Sequence, residues 1–320
     1  MTTNPNNEQI ILGISSCLLG EPVRFDGGHK SNVYIKTTLG KHFQFKSFCP
    51  EVEAGLGVPR ETLGLIETNG EQHIVYNSDT SRSLNKPFTE SASRQVKWQE
   101  SICGYILKSK SPSCGMQQID IIRDGTLKKN GTGIYASILI QHFPNLPIES
   151  EDRLSIVKIR QQFIRRVFVY HRWKKRINNQ PTLHAVKCFH RQHTSLLMAS
   201  DSSRAEQLSS WLEQAHKLDF DVLLLGYEKQ LMLILQSCPT RTSNTMALQQ
   251  LIKPLLLQSN KTRNKVKTLL DEYSKGLLTF NSIRKSVNEY QQESAKESTG
   301  RDWYLQPDRR EIDLLSNDNY

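Results

Sequence analysis

No apolar run in this chain of 320 residues approaches the length of a membrane span, so no integral membrane protein is expected. Its opening stretch, MTTNPNNEQI, lacks both a basic region and an apolar core, and no secretory signal is read there. These absences point to a reducing cytoplasm, where the six cysteines read as thiols, metal ligands or catalytic groups rather than a disulfide framework. Internal repeats of fixed period and low-complexity segments are also missing. One long stretch has no acid: from Arg153 to Arg191 there are eleven Lys/Arg and no Asp or Glu.

That asymmetry extends to whole halves. Residues 1–150 hold 15 basic and 14 acidic side chains, whereas residues 151–320 hold 27 and 18. A basic half joined to a neutral one suggests a polyanion-binding module attached to something else. The neutral half reads as α/β. IILGIS, FQFKSFC and GYILKS have strand character, and LGLIET and HIVYN suggest a hairpin around Asn69-Gly70. FTESASRQVKWQESI and GTGIYASILIQHF read as helices, which implies a Rossmann-like, mostly parallel sheet. The prolines of HFPNLPIESEDR mark a boundary, with Ser150 or Glu151 starting a new helix. The expected domains are 1–148, α/β, and 149–320, all-α, with the last twenty residues extended.

Three cysteines follow strands in Gly/Pro/Ser-rich loops: Cys17 in ISSCLLGEPVRFDGGHK, Cys49 in FCPEVEAGLGVPRE and Cys114 in ILKSKSPSCG. Loops after parallel strands gather on one sheet edge, so the three can converge. Each alone reads best as a small buried hydrophobe; together they suggest thiolate ligation. Cys103, at a helix–strand junction, reads as packed, and a four-cysteine site using it stays open. Zinc is a rival metal, although dispersed triple cysteines suit it poorly. Asp26-Gly27-Gly28 is a turn signal, and Asp26, His29 and Lys30 either shape that turn or face the ligand edge. GTGIY either packs or offers amides to an anion.

In the basic half, helical winding puts Ile156, Phe163, Val167 and Tyr170 on one stripe and Lys158, Arg165, Arg172 and Arg176 on the opposite one. The second stripe suits phosphate contacts, as does NKTRNKVK at 260–267. His184, Cys188, His190 and His193 invite a metal reading, since 184 and 188 share a helix face, but no nearby carboxylate completes a site, and His190 and His193 read instead as packing or RNA-contacting side chains.

SSCLLGEPVRFDGGHK, CPEVEAGLGVPRE and ILKSKSPSCG together resemble the signature of the TudS-like thiouracil desulfidase family, in that family's order and within residues 10–142. YHRWKKRINNQPTLHAVKCFHRQHTSLLMA and, more loosely, YLQPDRREIDLL resemble the helical domain of YbgA-like fusion proteins. The resemblance implies a [4Fe-4S] cluster on Cys17, Cys49 and Cys114, with catalytic Glu51 and Ser111 beside it. It further implies a thiolated pyrimidine substrate, foremost 4-thiouridine in tRNA, converted to uridine and hydrosulfide without net redox change. A desulfidase of free thiouracil or its nucleotides is the second reading. A non-enzymatic RNA-binding protein with a structural or redox-sensing metal site is the third. No protein partner is implied.

Overall fold

The computed structural model describes residues 9–179, 181–257, 260–294 and 300–316. The chain divides into two units, Met1–His171 and Arg172–Tyr320.

The first unit holds β1 (Ile10–Ser15), α1 (Val33–Thr37), β2 (Phe43–Phe48), α2 (Pro50–Glu53), β3 (Leu63–Thr68), β4 (Glu71–Tyr76), α3 (Asn85–Gln99), β5 (Tyr105–Leu107), β6 (Ile119–Arg123), β7 (Thr126–Gly131), α4 (Ile134–His142) and β8 (Ile148–Ser150). Four strands form a parallel sheet in the order β2-β1-β5-β8. β1 and β5 are apolar along nearly their whole length and almost entirely buried, as strands covered on both faces are. Gly13 of β1 is required by closeness: a Cβ there would sit 2.3 Å from the Tyr105 ring.

The other four strands form a mixed sheet, β4-β3-β6-β7, built from two hairpins joined by a parallel β3–β6 pair. Its core is Leu65, Ile74, Phe88, Ile119, Ile121 and Ile134. The α/β class is as expected, but in place of one sheet there are two. The second hairpin, around Asp124-Gly125, is hard to read because β7, TLKKNG, is exposed almost throughout and carries no apolar face.

One further reading is corrected. Ser150 and Glu151 do not begin a helix. Ile148–Ser150 is buried and adds a strand to β5, and the Glu151 amide donates to the Leu107 carbonyl (3.1 Å). The division between the two units falls inside α5 (Val157–Asn179).

The second unit continues with α6 (Leu183–Ser200), α7 (Ser202–Glu213), α8 (Phe220–Ile234), α9 (Arg241–Ile252), α10 (Asn260–Ser274), α11 (Phe280–Ser294) and α12 (Arg309–Ser316). Caps fix several starts: Thr182, Asp201, Asp219 and Thr240 each accept a first-turn amide. Trp173 stacks on Tyr227 (4.9 Å) and meets Phe189 edge-on (5.2 Å) in the core. The tail expected to be extended instead packs: Tyr304, Leu305 and Leu314 are buried, and α12 lies within the last twenty residues. The spacing of Glu311, Leu314 and their neighbours is helical, but its short span hides the period.

His190 and His193 are buried in this core. His190 Nε2 lies 2.9 Å from the Ser209 hydroxyl, which itself donates to the Ala205 carbonyl, so the ring donates there. Nδ1 then accepts from Tyr227 (3.1 Å), which requires the neutral ring. Burial pushes the His190 pKa down to about 4. The unfolded chain takes up this proton near the ordinary value of about 6.5. Stability is thus expected to be full above about pH 6.5 and to fall between there and about pH 4, by on the order of 3 kcal/mol from His190. His193, depressed by burial and by Arg172, acts in the same direction. Urea titrations across this range should show a pH slope that is shallower by about one proton in His190→Gln. Equal slopes would refute the neutral-ring account.

Candidate active site

The carboxyl edge of the parallel sheet gathers one loop from each strand. β1 leads into a 3-10 turn, Ser16–Leu19, carrying Cys17. β2 leads to Cys49, at the N-cap of α2 with Pro50 in the first turn, and then to Glu51. β5 leads to Lys108, Ser109, Ser111, Ser113 and Cys114, and β8 to Glu151. A cavity of about 240 Å³ opens there. Cys17, Cys49, Cys114, Glu51 and Ser111 all line it, with Arg24, Phe25, Arg60, Lys108 and Lys110. The structure thus brings the five principal residues read from the sequence to one wall.

The cysteine loop 111–115 is held from below. The amides of Gly133, Ile134 and Ala136, at the start of α4, donate to the carbonyls of Gly115 (2.7 Å), Pro112 (3.1 Å) and Ser113 (3.1 Å). A Cβ on Gly133 would lie 2.4 Å from the Ser113 carbonyl oxygen, so glycine is needed for the approach. GTGIY is therefore a packing element and not an anion cradle. The Ser111 hydroxyl accepts from the amides of Ser113 and Cys114 (3.2 Å each), which closes the turn. Those bonds occupy its lone pairs and leave its proton to point elsewhere.

Cys17 and Cys114 are buried and Cys49 is half-buried. Burial pushes Cys17 up to about 11, assisted by Cys49 and opposed by Lys108 and Arg24. Burial raises Cys49, while the Val52 amide pulls it back. Burial raises Cys114 strongly, and the Ser15 hydroxyl opposes it. In the metal-free protein these are protonated thiols, and ligation must displace their protons. All six cysteines are free. No group of three or more His, Cys, Asp or Glu among the described residues closes around a single ion. The three thiols instead span the wall of a larger cavity, with cations and hydrogen-bond donors beside the sulfurs. That donor set fits a polynuclear, thiolate-bound cluster.

Glu51 is firmly held. Its Oε2 accepts from Arg60 Nε (2.9 Å) and Nη2, and its Oε1 accepts from the Ser113 hydroxyl (2.6 Å). Lys108, which also lines the cavity, pairs with Glu151, which also accepts from the Ser109 amide (2.5 Å) and hydroxyl (2.9 Å). No site role was read from the sequence for Arg60, Ser113, Ser15 or the Lys108–Glu151 pair. Arg60 sits inside the quoted block GVPRE, but nothing in its spacing says that it faces Glu51.

The tentative substrate residues fall elsewhere. Asp26 is exposed, accepts from the Gly28 amide (3.0 Å) and pairs with Arg24 (3.5 Å). His29 Nδ1 accepts from the Ser31 amide (3.2 Å). Both shape the turn and neither lines the cavity; Arg24 and Phe25 do. Cys103 is buried away from the cavity, 3.6 Å from His171 Nδ1, so the four-cysteine arrangement is not formed.

Residues 12–151 match the family model of the 2-thiouracil desulfurases. They are 34% identical to a solved [4Fe-4S]-dependent thiouracil desulfidase, TudS, in a match covering 94% of that chain and 47% of this one, with a TM-score of 0.36. The chain belongs to the 2-thiouracil desulfurase family. An uncharacterized protein of Bacillus subtilis (strain 168), YbbK, is 28% identical over 137 residues, 88% of its length and 40% of this chain. Residues 195–308 match a protein family of unknown function, DUF1722. The desulfurase match ends at Glu151, the last residue contributed to the cavity's surroundings.

The stripe read on α5 is partly corrected. Phe163, Val167 and Tyr170 are buried as expected, but Ile156 is exposed and precedes the helix. Lys158 is exposed and Arg165 half-buried, both in the first unit; Arg172 and Arg176 belong to the second. Arg172 is an internal residue. It pairs with Glu311 (2.9 Å), donates to His193 (3.1 Å) and lies 4.3 Å from the Trp303 ring centroid. The periodicity places it on the polar face, yet α12 and the preceding segment, read as extended, cover that face. His184 and Cys188 approach each other (3.3 Å) on α6 without a third ligand among the described residues.

Proposed function

We propose that this protein is an iron–sulfur-dependent desulfidase that removes sulfur from a thiolated pyrimidine, foremost 4-thiouridine in tRNA. The observation carrying this reading is the convergence of Cys17, Cys49, Cys114, Glu51 and Ser111 on one cavity. The three thiols would hold a [4Fe-4S] cluster, which when bound supplies a Lewis acid for soft thiocarbonyl sulfur. The chain's own groups do the rest. Glu51, fixed by Arg60, takes a proton from water as the water oxygen bonds to the thiocarbonyl carbon. The remaining proton of the added hydroxyl passes to sulfur, the C–S bond breaks, sulfur leaves with the bonding pair as hydrosulfide, and the carbon becomes a carbonyl. No electron acceptor is required. Ser111, with its proton uncommitted, donates to the substrate. Phe25, with the Arg24 guanidinium 5.3 Å from its ring centroid, and Lys110 line the same cavity and would meet a pyrimidine with an aromatic side chain and positive charge.

The tRNA assignment draws on the basic second half of the chain. Lys261, Lys265 and Lys267 of α10 are exposed, with Val266 buried behind them. Thiolated tRNA incubated with the cluster-loaded protein should lose 4-thiouridine and gain uridine by nucleoside mass spectrometry. Changing Lys261, Lys265 and Lys267 to Gln should weaken tRNA binding and flatten its salt dependence, each phosphate contact contributing a slope of about −0.9. Turnover of free thiouracil with untouched tRNA would favour the second reading instead.

A further inference from the structure

Glu51 is gripped on both oxygens, and the grip reaches all three cysteine loops. The Arg60 side chain is only 4% exposed. Besides Glu51, it donates through Nη2 to the Val23 carbonyl (2.9 Å) and through Nη1 to the Gly57 carbonyl (2.8 Å). Val23 lies in the loop that follows Cys17, and its carbonyl also faces the Cys49 thiol (3.8 Å). Ser113, fully buried and next to Cys114, supplies the bond to Glu51 Oε1.

A carboxylate has about four lone-pair positions. Arg60 occupies both on Oε2 and Ser113 one on Oε1, which leaves a single acceptor position, on Oε1, for a water molecule. We propose that Arg60 and Ser113 are positioning residues which, through Glu51, fix the place of the attacking water relative to the three thiols. This rests on the desulfidase reading above. Arg60 is well suited, because its planar fork locks the carboxylate's rotation where a lysine would act as a point charge. Ser113 holds Oε1 through its hydroxyl (2.6 Å). Neither side chain needs to touch substrate. Their effect is geometric, and a displacement of about 1 Å in such an arrangement costs on the order of 100-fold in rate.

The test uses the cluster-loaded full chain and four variants: Arg60→Ala, Ser113→Ala and each of these combined with Glu51→Gln. Arg60→Ala and Ser113→Ala should keep the wild-type iron content and lower kcat by on the order of 100-fold, with KM little changed. In the Glu51→Gln background neither should lower kcat further, since both act through that carboxylate. Millimolar guanidinium should partly restore Arg60→Ala, because Arg60 borders the cavity. Losses that multiply with that of Glu51→Gln, or a rise in KM alone, would overturn the proposal. If Arg60→Ala does not fold, Arg60→Lys carries the same comparison. Infrared difference spectra between wild type and Glu51→Gln read the carboxylate without turnover. Its stretching band should shift in Arg60→Ala and Ser113→Ala, and an unmoved band would refute the grip. A wild-type protein inactive on every thiopyrimidine would overturn the desulfidase reading and Glu51's role as base, whereas the shifted band would uphold the arrangement itself.

Discussion

Cys17→Ala, Cys49→Ala and Cys114→Ala are each expected to abolish cluster assembly and, with it, all turnover. Anaerobically reconstituted wild type should carry about four irons and a brown absorbance; each variant should fall close to zero. The effect is large because three ligands are the whole thiolate complement of the cavity, and no other cysteine lines it. Cys103→Ala is the control. Its thiol faces His171 in the core, so iron binding should survive with at most a modest loss of stability. Circular dichroism separates lost ligation from lost folding. Wild-type iron in Cys49→Ala would remove Cys49 from the site, and zinc in place of iron would displace the cluster altogether.

Glu51→Gln is expected to keep its iron and lose 10²–10⁴-fold in single-turnover rate, the usual range for removal of a general base. Gln preserves the shape and can still accept from Arg60, which isolates the proton transfer from the scaffold. Ser111→Ala should also lose turnover, but by a double route. Its oxygen accepts the Ser113 and Cys114 amides, so alanine leaves two donors without an acceptor in the turn that carries a ligand. Faster iron loss on chelator challenge is therefore expected for Ser111→Ala and not for Glu51→Gln. Near-normal single-turnover rates in Glu51→Gln would show that another group accepts the proton.

The parts of this architecture that were legible in the sequence are those written in local signals. Apolar runs ending at Cys17 and Cys49 mark strands whose loops must share a sheet edge, and that rule alone brings the cysteines together. The Asn69-Gly70 hairpin follows from its turn chemistry. What was hidden depends on distant partners. Arg60 and Glu51 are nine residues apart, but Ser113 meets Glu51 from 62 residues away. β8 is three residues long and sits between prolines and acids, so only its pairing with β5 identifies it. Arg172 looks like surface on its own helix because the residues that cover it, Trp303 and Glu311, lie more than a hundred positions later.

The placement of β8 carries a consequence for how the protein is made. Lys108 stands beside the thiols with Glu151 as its counter-ion, and Glu151 is positioned only when Ile148–Ser150 has joined β5. During synthesis the chain emerges from its amino end, so Cys17, Cys49 and Cys114 are all exposed to the cell before the last strand exists. Until then the nascent site holds three reactive thiols beside a cation that nothing neutralises. The complete arrangement around Lys108 therefore requires that residues up to 151 have left the ribosome and joined the sheet edge.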